Sequence, residues 1–199
     1  GDIVRNLTII FILLSLSYSS YAMDKILLGP QDATYFGSKL EFSAPIKPEL
    51  DAHLEIGDSL SGQDIQIIYT NDEIYRLSIQ LETSISISDE GPHLDLTNWK
   101  HCTTDWIEVK SSSKSIFKLP NLENIDTDCF PEFTKEELKG EVLRQGGERW
   151  VNVLEKEGLP EAYTPALIDL STVRIKIEKQ VNLKWQQVTI IHVSIPMGC

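Results

Sequence analysis

The sequence has few basic residues for its length, and this shortage limits the partners that the chain can have. It contains 18 Lys and Arg residues against 30 Asp and Glu residues, which gives a formal net charge of −12. A chain this acidic repels the phosphate backbones of DNA and RNA, so we expect no nucleic-acid partner. The same charge attracts basic proteins and speeds their association. A basic protein is therefore the kind of partner that the composition favours.

The sequence also lacks the motifs that hold metals, nucleotides and other cofactors. Its four histidines are scattered, without the His-x-His or His-Glu-x-x-His spacing of zinc sites, and no glycine-rich phosphate-binding loop is present. We therefore predict no metal site and no cofactor. The four tryptophans are predicted to belong to the core rather than to a sugar-binding platform. They are Trp99, Trp106, Trp150 and Trp185.

Cysteine is scarce, with only Cys102, Cys129 and Cys199 present. In an oxidising compartment two of them tend to pair and one is left over. Cys102 and Cys129 lie in polar, turn-like segments, whereas Cys199 is the last residue, and terminal backbone tends to fray. We predict a disulfide between Cys102 and Cys129, with Cys199 unpaired. The α-carbons of the bonded pair should then lie less than about 7 Å apart.

Long apolar runs are missing after residue 22, and the one run before it has the features of an export signal. Arg5 provides a positive start, residues 7–16 are apolar over about ten positions, and Ser20-Tyr21-Ala22 has the small residues of a cleavage site. The run is shorter than the roughly 20 apolar residues of a membrane-spanning helix, so we expect no span after cleavage. We predict a signal peptide over residues 1–22 and a single exported domain over residues 23–199. Its location would be the periplasm in a Gram-negative organism, and the extracellular medium otherwise.

Strand patterns occupy most of the remaining sequence. Residues 64–88 alternate apolar and polar side chains on both sides of Asn71-Asp72, which predicts an antiparallel hairpin with one solvent-facing side. Residues 106–110 and 115–119 suggest a second pair of strands. A third pair is predicted from residues 172–178 and 185–195.

One helical segment is predicted around residues 134–157. Thr134 and Glu137 have the spacing of a capping box, in which each side chain accepts a hydrogen bond from the other residue's backbone N–H. Gly146-Gly147 interrupts the helical pattern, so we expect a kink or two short helices. The order of strands, helix and strands predicts a strand-rich α+β fold with an antiparallel sheet.

One short motif resembles a known enzyme family. Gly57-Asp58-Ser59-Leu60 is similar to the first sequence block of the GDSL (SGNH) hydrolases, in which the serine attacks an ester carbonyl. The resemblance implies an exported serine esterase with Ser59 as the nucleophile. Such an enzyme also needs a base and an oxyanion hole, which the family takes from an Asp-x-x-His block and a Gly-x-Asn-Asp block. Here Thr189 stands where the aspartate would precede His192. We therefore predict that Ser59 lies in a solvent-facing turn and that the chain has no catalytic residue.

Acidic residues are most concentrated between positions 123 and 137. A disulfide at Cys129 and a capped helix at Thr134 would hold this segment rigid, which reduces the entropy lost on binding. We interpret the chain as an exported, non-enzymatic binding protein of the inhibitor or immunity-protein type. Its partner would be another envelope or secreted protein. The alternative is that these carboxylates only provide solubility and favour the helix N-terminus. The predicted binding residues are Glu123, Asp126, Asp128 and Glu132.

Overall fold

The computed structural model describes residues 23–29, 39–70, 72–88, 91–122, 128–155 and 166–197. The predicted signal peptide, residues 1–22, lies outside this part of the chain. The strands within it are β1 (Met23–Leu28), β2 (Leu40–Ser43), β3 (Glu49–His53), β4 (Asp64–Tyr69), β5 (Tyr75–Ser88), β6 (His93–Asp95), β7 (Cys102–Thr103), β8 (Ile107–Val109), β9 (Ser111–Ser113), β10 (Ile116–Lys118), β11 (Ala166–Val181) and β12 (Lys184–Ser194). The helices are α1 (Lys135–Gly146) and α2 (Glu148–Leu154).

The strands form two sheets. The smaller sheet has five strands in the order β2-β1-β4-β10-β9, and the larger has seven, in the order β3-β12-β11-β5-β6 with β7 and β8 also paired to β5. The β3–β12 pair is parallel, while the other described pairs are antiparallel. The fold is therefore strand-rich and broadly α+β, with two sheets where the sequence predicted one.

Two predicted strand pairings are wrong and one is confirmed. Residues 64–88 do not form a hairpin, because β4 pairs with β1 and β10 while β5 belongs to the other sheet. Likewise β8 pairs with β5, whereas β10 pairs with β4 and β9. Alternation shows which side of a strand is buried, but it does not identify the neighbouring strand. The β11–β12 hairpin is confirmed, and its two-residue turn has positive φ at Asn182 (50°) and Leu183 (64°), as a type I′ turn requires.

The main hydrophobic core contains side chains from both sheets. Transfer of each large aliphatic side chain from water to such a core stabilises the fold by about 1.5–3 kcal/mol. Members with 0 or 1% exposure include Ile26, Leu28, Ile65, Ile67, Leu77, Ile79, Val173, Ile175, Ile191 and Val193.

A second core joins the helices to one end of the larger sheet. Ile85 and Ile87 of β5 pack there with Leu138 and Val142 of α1 and with Val151 of α2. The prediction that β5 has a solvent-facing side is wrong, since polar residues between its apolar positions are buried as well. Ser84 and Ser86 are both 0% exposed.

A β-bulge at Ser171 allows β11 to contribute to both cores. Leu170 pairs with Thr83 and Thr172 pairs with Glu82, so Ser171 is an extra residue without a partner position on β5. One extra residue reverses the inward–outward alternation of a strand. Before the bulge, the core-facing residues of β11 have even numbers, and Ile168 packs against the second core. After the bulge they have odd numbers, and Val173 packs in the main core.

The helical segment begins and divides as the sequence predicts. Thr134 caps α1 with the complete capping box, and Gly147 separates the two helices with φ 75°. A positive φ of this size is a conformation that glycine adopts readily and other residues rarely do. Neither described helix is long and apolar enough to cross a membrane.

Candidate functional site

The acidic segment predicted to bind a partner is described from residue 128 onward. Glu123 and Asp126 lie outside the described residues, whereas Asp128 and Glu132 are both exposed. The carboxylates of Glu136 and Glu137 follow in the first turn of α1. We refer to residues 128–137 as the acidic segment.

A disulfide fixes the beginning of the acidic segment to the larger sheet. Cys102 and Cys129 are bonded, with their α-carbons 5.7 Å apart, as predicted. Cys102 is 6% exposed and lies on β7, opposite Thr83 of β5. Because β5 is an interior strand of this sheet and most of its side chains are buried, the disulfide joins the segment to a well-packed part of the fold. Cys199 lies outside the described residues.

A lysine and a group of aromatic rings hold the middle of the segment. Nζ of Lys100 donates to the backbone oxygen of Glu132 over 2.8 Å and to Oε1 of Glu137 over 3.3 Å. The ring centroids of Phe133 and Trp99 are 5.5 Å apart, and those of Phe133 and Phe130 are 6.1 Å apart. Both pairs have the edge-to-face geometry that aromatic rings prefer. The backbone of the segment is therefore fixed along its length while Asp128 and Glu132 stay exposed.

The capping box fixes the end of the segment. The N–H of Thr134 donates to Oε2 of Glu137 over 2.7 Å, and Oγ1 of Thr134 accepts from the N–H of Glu137 over 3.1 Å. The Thr134 amide, with a further contribution from Lys100, lowers the pKa of the Glu137 carboxyl below its usual range. This carboxyl therefore keeps its negative charge under mildly acidic conditions.

Ser59 is exposed and lies in the loop between β3 and β4, between turns at residues 56–57 and 61–62. Its hydroxyl accepts a hydrogen bond from the N–H of Ser61 over 3.1 Å, and Oδ2 of Asp58 accepts from the N–H of Glu55 over 3.3 Å. Ser59 lines a cavity of about 140 Å³ that also contains Asp58 and Asp169, and none of the described lining residues is a histidine. The base that an esterase mechanism requires is thus not among the described neighbours of this cavity.

A second depression, which the sequence did not predict, lies beside the Ser171 bulge. It has a volume of about 510 Å³, and we call it the bulge groove. No sequence motif marks it, because its residues come from separate strands and loops and meet only through the pairing of β5, β11, β12 and β3. The residues that line it are His53, Leu54, Glu82, Asp95, Thr97, Asn98, Ser171, Thr172, Ser194, Ile195 and Pro196.

All four tryptophans lie beneath cationic side chains, and two of these contacts are the shortest. The guanidinium carbon of Arg76 is 4.6 Å from the ring centroid of Trp185, and Nζ of Lys176 is 4.3 Å from that of Trp106, which is 36% exposed. Both distances are typical of cation–π contacts. The other two tryptophans are partly buried against the second core, whereas Trp106 and Trp185 belong to neither core, so the prediction that all four are core residues is wrong for these two.

Among the described residues, no three His, Cys, Asp or Glu side chains are grouped closely enough to hold a metal ion. In comparisons with known proteins, no protein-family model, no curated protein and no solved structure matches this chain significantly.

Proposed function

We propose that this chain is an exported, non-enzymatic binding protein of the inhibitor or immunity-protein type, and that its acidic segment engages a basic protein partner. The observation that carries the proposal is that this segment combines a fixed backbone with exposed carboxylates. Its backbone is fixed by the Cys102–Cys129 disulfide, by Lys100 and by the capped start of α1, whereas Asp128 and Glu132 are exposed.

A rigid charged segment suits binding for two physical reasons. A segment that is already ordered loses less conformational entropy when it binds, so more of the contact free energy contributes to affinity. Exposed carboxylates also attract a basic surface over distances of about 10 Å at moderate salt, which increases the association rate. The disulfide supports the exported location in the proposal, since such bonds persist in oxidising compartments.

The test is to capture partners from the secreted or periplasmic fraction of the source organism and to measure their association rates across ionic strengths. The variant is Asp128→Asn with Glu132→Gln. The matched control is Asp51→Asn with Glu49→Gln, which also removes two negative charges, but from exposed positions on β3. We expect the first variant to slow association several-fold at low salt and to flatten its salt dependence, and the control to have little effect. Equal effects of the two variants would show that only net charge matters and would contradict the proposed surface.

The alternative is an exported GDSL-like esterase with Ser59 as the nucleophile. Among the described residues its support is the four-residue motif alone, since no described histidine lines the Ser59 cavity. It makes a separate prediction about ester hydrolysis, which is given in the Discussion.

A further inference from the structure

The bulge groove crosses four neighbouring strands at one level of the larger sheet. In the strand register Thr172 of β11 pairs with both Glu82 of β5 and Ser194 of β12, and Ser194 pairs with His53 of β3. Directly paired residues project to the same side of a sheet, with β-carbons about 5 Å apart. One carboxylate, two hydroxyls and one imidazole therefore form a polar row across the groove.

Further walls come from residues that follow strands. Asp95 ends β6, and Thr97 and Asn98 continue from it, both of them exposed. Ile195 and Pro196, which follow β12, add a small apolar surface, while Leu54, which follows β3, is 8% exposed and belongs to the main core. The groove thus combines hydroxyl, amide and carboxylate groups with a small apolar surface.

The two carboxylates of the groove already have partners, which fixes their orientation. Oε2 of Glu82 accepts from Nη2 of Arg174 over 2.5 Å. Oδ1 of Asp95 accepts from the hydroxyl of Ser86 over 2.8 Å, and its Oδ2 lies 3.4 Å from Nε2 of His93. A carboxylate has about four lone-pair sites, so each retains capacity to accept a further hydrogen bond.

The charges in the groove argue against an anionic ligand and provide only a weak attraction for a cationic one. None of the described lining residues is Lys or Arg, which disfavours phosphates and other anions. The charge of Glu82 is compensated by Arg174, which weakens attraction for a lysine or arginine side chain. Asp95 also carries a charge, and its carboxylate already contacts Ser86 and His93. The other polar groups include neutral ones that both donate and accept: the hydroxyls of Thr97, Thr172 and Ser194 and the amide of Asn98.

We propose that the bulge groove binds a neutral saccharide, independently of the protein partner of the acidic segment. Sugar hydroxyls donate and accept hydrogen bonds, as do the groups in the groove, and the C–H face of a sugar ring matches the apolar surface of Ile195 and Pro196. The volume of about 510 Å³ is in the range of small-ligand sites and accommodates one or two sugar rings.

The experiment is an NMR titration of the ¹⁵N-labelled full-length chain. The probes are neutral mono- and disaccharides of glucose, galactose, mannose and N-acetylglucosamine, at up to about 50 mM, well above the roughly 1 mM dissociation constant of a weak complex. We expect at least one sugar to shift the amide signals of residues 97–98, 194–195 and 197. Asn98→Ala, at an exposed position, should weaken that binding about 5- to 10-fold through loss of hydrogen bonds.

The control variant is Gln186→Ala, an exposed residue near the hairpin end of β12, which should leave sugar binding unchanged. A tri-lysine peptide and inorganic phosphate are titrated in parallel. The proposal is overturned if no sugar in the panel binds, if the shifted signals lie away from the groove, if Asn98→Ala has no effect, or if the peptide or phosphate binds the groove and the sugars do not.

Discussion

Arg76 and Glu178 face each other directly across the β5–β11 pair, and the guanidinium donates two hydrogen bonds to the carboxylate. Nε lies 2.7 Å from Oε2 and Nη2 lies 3.0 Å from Oε1. The same guanidinium covers the ring of Trp185. Glu178 is 9% exposed, so its negative charge has little contact with water and is stabilised mainly by Arg76.

We predict that Glu178→Gln lowers the free energy of unfolding by about 1–2 kcal/mol near neutral pH, because it removes a charge-assisted pair from a largely buried position. The Arg76 hydrogen bond lowers the pKa of Glu178 in the folded protein. The stabilisation is therefore present above the unfolded pKa of about 4.3 and is lost as the pH falls through the lower folded value. Urea unfolding of both proteins at neutral pH and below about pH 4 measures this difference. The control Glu49→Gln, at an exposed position, should change stability by less than about 0.5 kcal/mol. A difference for Glu178→Gln that persists unchanged in acid would contradict the pairing.

We predict that replacing Cys102 and Cys129 together with serine lowers the free energy of unfolding by about 3–4 kcal/mol. The bond closes a loop between residues 27 positions apart and limits the conformations of the unfolded chain. Urea unfolding with and without a reducing agent measures the effect. The reducing agent should destabilise the wild type and leave the double variant unchanged. If it destabilises both equally, the effect does not come from this bond.

Two glycines of α1 form a matched pair for a packing test. A β-carbon at Gly140 would meet no atom within 4 Å, whereas one at Gly146 would lie 2.5 Å from Cδ2 of Leu94 and 2.6 Å from Cδ1 of Trp150. Gly140→Ala should therefore stabilise the protein by about 0.5–1 kcal/mol through helix propensity. Gly146→Ala should destabilise it by about 1–3 kcal/mol through overpacking. Thermal unfolding of both variants is the measurement, and a stabilising Gly146→Ala would mean that Leu94 and Trp150 do not pack as described.

We predict that the wild-type protein does not hydrolyse p-nitrophenyl acetate above the uncatalysed rate and that Ser59→Ala changes nothing. The hydroxyl of Ser59 accepts a hydrogen bond from the N–H of Ser61 and has no described histidine in its cavity to take its proton. Ser112→Ala, at another exposed serine, serves as the control. Hydrolysis that is lost in Ser59→Ala but kept in Ser112→Ala would favour the esterase over the binding protein.

The parts of the fold that the sequence predicted correctly depend on local physics. The capping box of Thr134, the break at Gly147 and the β11–β12 hairpin each arise from residues close together in the chain. The disulfide was predictable because, of the three cysteines, two lie in internal, turn-like segments. The two-sheet arrangement was not predictable, since the pattern around Asn71 is the same whether the next strand returns to its neighbour or crosses to another sheet.

The bulge groove escaped prediction for a similar reason. Glu82, Thr172, Ser194 and His53 are far apart in sequence, and each alone resembles an ordinary polar position of a strand. They lie side by side on neighbouring strands only because of the register of three strand pairs and the extra residue at Ser171. The strand predicted from the sequence covers residues 172–178 only, so it begins after Ser171 and gives no sign of the extra residue.

The pairing of β5 with β11 has a consequence for the newly made protein. β5 is complete once residue 88 has been synthesised, but β11, its longest partner, starts only at Ala166. Chains grow from the N-terminus, so Leu77 and Ile79 leave the ribosome long before Val173 and Ile175 exist to cover them. During this interval the strand offers free backbone groups and an apolar side to any neighbouring chain. Growing chains that end before β11 should therefore aggregate far more readily than the full-length protein.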